Sequence, residues 1–202
     1  FADADAHAYY LYALQRYQQG DLAGAASAFD SLRLLYPTSL YVQQGHAAEA
    51  RVYYAYAQQQ LSTACETARP LYQTLASVYG DTPEGHKAQG ILQRPVDVTG
   101  SLVNYPTGLA VTVYLSRHGS APISANASYE YFSDDYSTTL NRSTGAYHFA
   151  SIPPGSYTIS ANDGVSTSWW GDSTANKLYF FQVGPLCATT VEALDDHLQQ
   201  RD

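Results

Sequence analysis

The sequence predicts two domains: an array of α-helical hairpins over residues 1–94, followed by an antiparallel β-sandwich over residues 95–202. Three observations support this prediction. The first half is rich in Ala, Gln, Leu and Tyr, with apolar residues at helical spacing. The second half alternates apolar and polar residues with a period of two. The length of 202 residues suits two small domains, and the composition changes at Arg94-Pro95, which we take as the boundary.

The composition excludes several classes of function. Hydrophobic residues make up 45% of the chain and charged residues 14%, so a packed core is expected. The net charge of -8 argues against a nucleic-acid partner, which requires clustered Lys and Arg. No apolar run is long enough to span a membrane. Because the chain contains no Met, we expect a processed, exported product of the periplasm, the outer envelope or the extracellular space.

Two helices are predicted before Pro37, separated by a break at Gly20-Asp21. The predicted inner side of the first helix comprises Tyr9, Tyr12, Ala13 and Tyr17. The predicted inner side of the second helix comprises Leu22, Ala25, Phe29, Leu32 and Leu35. A second copy of the pattern comprises Ala68, Tyr72, Leu75, Tyr79 and Thr82. Such repetition predicts stacked helix pairs, with Pro70 expected to kink or restart the fourth helix.

The first repeat resembles the tetratricopeptide family over residues 1–80. The residues at the spacing of its signature are Tyr9, Tyr12, Ala13, Gly20, Asp21, Ala25, Phe29 and Pro37. The segment Leu35-Tyr36-Pro37-Thr38-Ser39, followed by a long helix, is similar to the variant found in bacterial envelope proteins. These include the outer-membrane barrel-assembly lipoproteins and the Tol-Pal accessory proteins. The resemblance implies a scaffold that binds proteins.

The second half contains a different sequence motif. Thr144–Phe149 and Ile152–Ile159 are similar to the hallmark of carboxypeptidase-regulatory-like domains and the related prealbumin-like and Cna-B-like domains. The glycines and prolines make tight turns, and the alternating aromatic residues fill the space between two sheets. This resemblance implies an accessory module in an exported protein. The last segment, Ala193–Asp202, is predicted to form a short terminal helix or tail.

No set of residues predicts catalysis or a bound cofactor. Asp3, Asp5 and His7 offer metal-ligand atoms, but acidic residues near a chain end are usually solvated. His46 and Glu49 are interpreted as part of a polar helix face. Asp134-Asp135 are interpreted as a turn. His148 lies between two core aromatic residues of a predicted strand, so its side chain should point outward. The chain is therefore not expected to be an enzyme.

Aromatic residues provide candidate binding surfaces. Of the adjacent Trp169 and Trp170, one should face outward if the segment is extended, although both rings could instead fold over a sheet edge. The chain has 19 Tyr residues, and those of one helix either form a protein interface or fill the groove between helices. The helical candidates are Tyr53, Tyr54 and Tyr56. The candidates in a polar insertion are Tyr129, Tyr131 and Tyr136.

Two pairs of residues are candidates for covalent modification. Cys65 and Cys187 either form a disulfide, as an exported protein allows, or are two buried thiols. Asn126 and Asn141 both begin an Asn-x-Ser tripeptide, the acceptor pattern for an N-linked glycan.

The sequence therefore predicts a non-catalytic exported scaffold that docks a partner protein or further copies of itself. The alternative is a carbohydrate-binding accessory protein, in which Trp169 or Trp170 and the tyrosines of the insertion stack on a polysaccharide. Glycan-array binding that is lost when these Trp residues are changed to Ala would favour the alternative.

Overall fold

The computed structural model describes residues 2–103, 110–117, 136–162, 167–169, 171–172, 177–178 and 181–195. The chain divides into two compact units, Phe1–Gln93 and Arg94–Asp202. The predicted boundary at Arg94-Pro95 lies beside this division. Helices occupy the first unit and strands the second, in the predicted order. None of the described helices is both long and apolar enough to cross a membrane.

Five helices form the first unit. They are α1 (Ala2–Gln18), α2 (Leu22–Leu35), α3 (Leu40–Leu61), α4 (Cys65–Val78) and α5 (Pro83–Leu92). Each helix packs on the next one along the chain, and α3 also contacts both α1 and α5. The odd-numbered helices are therefore neighbours as well as parts of successive hairpins.

The ends of the helices follow from local side chains. Asp21 precedes α2, and its carboxylate accepts a hydrogen bond of 2.9 Å from the backbone N–H of Gly24. Thr82 precedes α5, and its hydroxyl accepts a hydrogen bond of 3.0 Å from the N–H of Gly85. Pro83 stands at the first position of α5, where no intrahelical N–H bond is lost. These caps satisfy amide groups that the helix itself cannot pair.

Part of the predicted inner face of the first hairpin is wrong. Ala13, Ala25 and Phe29 are buried as predicted, but Tyr12 is 48% exposed and Leu35 is 54% exposed. Tyr17 is also exposed. The side of α1 that packs on its neighbours instead carries Ala6, Ala13 and Tyr10, whose ring meets that of Phe29 edge-on.

The prediction that Pro70 interrupts the fourth helix is wrong. Helix α4 continues from Cys65 to Val78 with Pro70 inside it. Proline removes one backbone hydrogen bond near the start of the helix. The buried side chains of Ala68, Tyr72 and Leu75 hold the helix in place on either side of this position.

The second unit is built from strands. They are β1 (Val96–Val103), β2 (Thr112–Arg117), β3 (Tyr136–Thr139), β4 (Ala146–Ile152), β5 (Gly155–Asn162), β6 (Thr167–Trp169), β7 (Gly171–Asp172), β8 (Lys177–Leu178), β9 (Phe181–Val183) and β10 (Thr189–Asp195). One sheet has the order β10-β1-β4, and a second has the order β3-β2-β5-β6 with β9 also paired to β5. Strands β7 and β8 form a separate pair. Buried side chains from the two larger sheets belong to one apolar core.

Two expectations about the end of the chain are wrong. Strand β10 runs parallel to β1, whereas an entirely antiparallel arrangement was predicted. Parallel pairing requires a long connection, and here most of the β unit separates the two strands. The predicted terminal helix or tail does not begin at Ala193, because β10 continues to Asp195, and residues 196–202 lie outside the described residues. Pairing with β1 satisfies the backbone groups that a helix would otherwise satisfy internally.

Gly100 of β1 leaves space for the side chain of a tyrosine from the neighbouring strand. Gly100 pairs directly with Tyr147 of the neighbouring β4, and a Cβ atom on Gly100 would overlap the hydroxyl oxygen of Tyr147. Tyr147 is 3% exposed, and burial raises the pKa of its phenol. Among the residues described, no group hydrogen-bonds to this hydroxyl. The glycine is therefore required by the close approach of a core side chain.

We predict that Gly100→Ala lowers the free energy of unfolding by about 1–3 kcal/mol, the usual effect of overpacking a core. Urea unfolding measures this change. Because leucine is shorter than tyrosine, Tyr147→Leu should relieve the overlap. The double variant should therefore be more stable than the sum of the two single changes implies. Strict additivity would show that the two side chains do not compete for this space.

Candidate functional site

Glu49 is the residue of the helical unit that sequence reasoning misplaced. It was interpreted as part of a polar helix face, but it is 2% exposed. A signal for its burial exists in the sequence. Gly45, Glu49, Tyr53 and Ala57 recur at intervals of one helical turn, and all four are buried on α3.

Four polar side chains surround this carboxyl group. Together with Glu49 they form what we call the Glu49 network. It comprises Asp30 and Arg33 on α2, Glu49 and Tyr53 on α3, and Tyr79 directly after α4. Arg33 donates to the hydroxyl of Tyr79 at 3.0 Å and to the Asp30 carboxylate at 2.6 Å. Tyr53 donates to the same Asp30 oxygen at 2.6 Å. The Nε of Arg33 lies 3.5 Å from Oε1 of Glu49. This oxygen has no hydrogen-bond partner among the described residues.

A second branch leads from Tyr79 toward the turn before α5. The rings of His46 and Tyr79 lie 5.0 Å apart. Nε2 of His46 lies 2.9 Å from a carboxylate oxygen of Asp81. This hydrogen bond lowers the pKa of Asp81. His46 therefore connects α3 to the turn between α4 and α5.

Burial dominates the electrostatics of the Glu49 network. Burial raises the pKa of Glu49, although the hydrogen bond from Tyr79 and the charge of Arg33 oppose this shift. Burial and the neighbouring Glu49 raise the pKa of Tyr79, and burial and Asp30 raise that of Tyr53. For Arg33, burial opposes the charged form, but Glu49 and the other acidic neighbours raise its pKa overall. The guanidinium is thus the fixed positive charge of the network.

This arrangement is suited to holding helices together. Glu49 is inaccessible to a substrate, and its neighbours use their donors on one another. Hydrogen bonds inside a buried polar network restrict the positions of the elements that carry them. The network joins α2, α3 and the end of α4, so it fixes the relative positions of two successive hairpins.

A smaller polar group lies on the β unit. Asp97 of β1 accepts a hydrogen bond of 3.2 Å from the backbone N–H of Ser151, and His148 lies 3.2 Å from its other oxygen. Ser151 has a φ of 60° at an irregular step in the pairing of β1 and β4. The hydrogen bond from His148 lowers the pKa of Asp97. His148 is exposed, as predicted, and this group braces a β-bulge.

The predicted helical tyrosines do not share one surface role. Tyr53 is 6% exposed and its hydroxyl is bonded to Asp30, so it is not offered to a partner. Tyr54 and Tyr56 are half-buried. The Tyr54 ring meets that of Tyr72 edge-on, and Lys87 lies over its face. The rings of Tyr53 and Tyr54 thus pack on rings that follow or belong to α4, and a role for these tyrosines in a protein interface stays a prediction.

The predicted candidates of the β unit are only partly described. Tyr136 is half-buried against the apolar core, with its ring 6.2 Å from that of Tyr157. Asn141 is exposed, and its side-chain oxygen accepts hydrogen bonds from the N–H and the hydroxyl of Ser143. Trp169 lies at the end of β6, but its side chain is outside the described residues. So are Tyr129, Tyr131, Trp170, Asn126 and Asp134-Asp135.

The remaining candidates are the cysteines and the acidic start of α1. Neither Cys65 nor Cys187 is a free thiol. A disulfide that joins them within one chain, rather than across two copies, stays a prediction. Asp3 and Asp5 lie in the first turn of α1, and the ring of His7 stacks on Tyr41 at 4.6 Å. These three residues are thus part of a folded helix.

We predict that Tyr79→Phe lowers the free energy of unfolding by about 1–3 kcal/mol, because it removes the hydroxyl that accepts a 3.0 Å hydrogen bond from Arg33 inside the helical unit. Tyr54→Phe is the matched control. Its hydroxyl accepts only an exposed hydrogen bond from Gln58, so the loss should stay within about 0.5 kcal/mol. Chemical denaturation measures both variants. Equal losses in the two would mean that the Glu49 network contributes no special stability.

We also predict a pH dependence. Because the pKa of Glu49 is raised in the fold, its contribution to stability is present below the unfolded value of about 4.3 and is lost as the pH rises. Glu49→Gln removes this loss, so the variant should gain stability relative to the parent from pH 4 to pH 7. Asp81→Asn is the control of opposite sign. The lowered pKa of Asp81 stabilises the parent above about pH 4, and this contribution is lost in acid. Parallel curves for Glu49→Gln and the parent would contradict the prediction.

Comparison with known proteins leaves the family open. No protein-family model matches the chain, and no curated protein matches its sequence. The tetratricopeptide and carboxypeptidase-regulatory-like resemblances are therefore carried by the motifs alone. Any functional conclusion must rest on the contacts and surfaces of the chain itself.

Proposed function

We propose that this chain is a non-catalytic, exported scaffold protein of the cell envelope or extracellular space. Its helical unit is a tetratricopeptide-like array that docks a partner protein or further copies of the chain. Its β unit is a carboxypeptidase-regulatory-like β-sandwich that serves as a spacer or adhesive module. The two parts thus have separate tasks.

The packing of the helices supports the first part of the proposal. Successive helices form hairpins, and α3 contacts both α1 and α5. Stacked helix pairs contact each other in this way in repeat proteins. For the β unit, the support is that two sheets contribute side chains to one apolar core.

The observation that carries the docking function is a set of large apolar side chains left on the surface of the helical unit. The most exposed are Leu34 at 81%, Leu40 at 57%, Leu35 at 54%, Leu11 at 50% and Tyr12 at 48%. Burying such groups against a partner is favourable by about 25 cal/mol per Å² of apolar surface. Exposed apolar patches usually mark interaction sites, and these side chains are the candidates for one.

The chemistry of the titratable groups agrees with a structural role. Glu49, whose pKa is raised by burial, is out of reach of a substrate. The bonded state of both cysteines suits an oxidising compartment and therefore supports export.

We predict that the full chain associates in solution. Light scattering coupled to size exclusion should give a mass that rises with concentration, or a partner should elute with the chain in fixed proportion from its source. Serine at Leu11, Leu34 and Leu40 should remove the association, because it removes apolar surface without disturbing the core. Val103→Ser, which changes a 40% exposed residue on β1, is the control and should have no effect.

A monomer at every concentration, without any bound partner, would contradict the proposed scaffold function. Association that persists unchanged in the triple serine variant would place the docking surface elsewhere in the chain.

A further inference from the structure

Three exposed leucines flank the turn between α2 and α3. Leu34 and Leu35 end α2, and Leu40 begins α3. They are 81%, 54% and 57% exposed, respectively. Single exposed leucines are common on protein surfaces, but three around one short turn form a local apolar patch.

The acidic first turn of α1 lies against the same turn. A carboxylate oxygen of Asp3 lies 3.5 Å from the hydroxyl of Ser39. Burial and the nearby charge of Asp5 raise the pKa of Tyr36. The rings of Tyr9 and Tyr36 lie 5.9 Å apart and attach α1 to this turn. We call the set Asp3, Asp5, Leu34, Leu35 and Leu40 the α2–α3 corner.

The charge of the α2–α3 corner is not balanced locally. Residues 1–11 and 34–50 contain no Lys or Arg. Within the described residues, neither Asp3 nor Asp5 belongs to an ion pair. The adjacent Arg33 is directed to Asp30, Glu49 and Tyr79 instead. The corner thus combines an apolar patch with negative charge that has no basic neighbour.

We propose that the α2–α3 corner docks a basic, leucine-rich segment of a partner protein. The apolar side chains of that segment cover Leu34, Leu35 and Leu40, and its Lys or Arg side chains pair with Asp3 and Asp5. An amphipathic basic helix has this chemistry. This inference rests on the proposed scaffold function and names the class of partner.

Charge separates this occupant from the others. Anionic lipid surfaces and nucleic acids carry the same sign of charge as Asp3 and Asp5 and as the whole chain, at -8. Two copies joined corner to corner would bring four carboxylates together, which is unfavourable. A basic apolar segment satisfies both parts of the surface.

The experiment uses the full chain and a short fluorescein-labelled peptide of Lys and Leu, with the leucines on one helical face. Fluorescence anisotropy measures binding. The peptide should bind, and added salt should weaken the binding because the charges are exposed. A peptide with Glu in place of Lys, and one with Ser in place of Leu, should each bind at least about tenfold more weakly.

Two variants assign the binding to the corner. Leu34→Ser with Leu40→Ser should weaken binding of the Lys-Leu peptide by about tenfold or more. Asp3→Asn with Asp5→Asn should weaken it by about threefold to tenfold and reduce its dependence on salt. Circular dichroism and thermal unfolding verify that both variants remain folded.

Matched controls come from other positions on the helical unit. Leu61→Ser changes an exposed leucine at the end of α3. Glu66→Gln with Glu84→Gln removes two acidic groups from first turns of helices, as the Asp3 and Asp5 changes do. Neither control should alter binding of the Lys-Leu peptide. If the controls weaken binding as much as the corner variants, the attraction is non-specific and the inference is wrong.

The result of the peptide-binding experiment can be distinguished from the result of the association experiment that tests the scaffold function. If the chain associates in solution but the Lys-Leu peptide does not bind, the scaffold function stands and the α2–α3 corner is not the site proposed. If the Glu-Leu peptide binds as well as the Lys-Leu peptide, the surface recognises apolar groups alone, and the charge argument fails.

Discussion

The helical unit depends on the burial of one carboxyl group beside one guanidinium and two phenols. Glu49 and Tyr79 are almost completely buried. Arg33 donates to the hydroxyl of Tyr79 and lies 3.5 Å from Glu49, and Tyr53 donates to Asp30. A buried polar network that loses one partner is worse than an apolar core. The geometry where α2, α3 and the end of α4 meet is therefore tightly restricted.

This restriction also determines which side chains face outward. Arg33 lies on the side of α2 that meets Glu49 and Tyr79, so the following residues, Leu34 and Leu35, lie toward solvent. The same internal network that holds the hairpins thus leaves an apolar edge next to the acidic start of α1. The orientation of α2 therefore decides both the contacts of the Glu49 network and the exposure of the candidate docking surface.

The β unit is held by a different kind of constraint. Its core is apolar, and a glycine opposite Tyr147 makes room for a phenol that has no hydrogen-bond partner among the described residues. Its polar cluster, Asp97 with His148, is exposed and stabilises a β-bulge, whereas the Glu49 network joins separate helices. The functional argument is therefore carried by the helical unit, where the exposed apolar side chains and the unbalanced charges lie.

The sequence by itself determined the order of helices and strands, the break between the first two helices at Gly20-Asp21, and the burial of Ala25 and Phe29. These are local features, set by periodicity, hydrogen-bonding side chains and the size of a few residues. It did not determine the burial of Glu49, the exposure of Leu35, the continuity of α4 through Pro70 or the parallel pairing of β10. Each of these depends on a neighbour distant in sequence. Glu49 depends on Arg33 and Tyr79, Leu35 on the contacts that orient Arg33, α4 on its packing against other helices, and β10 on the edge of β1. Only tertiary structure brings such partners together, because the free energy that decides them comes from packing and pairing across elements.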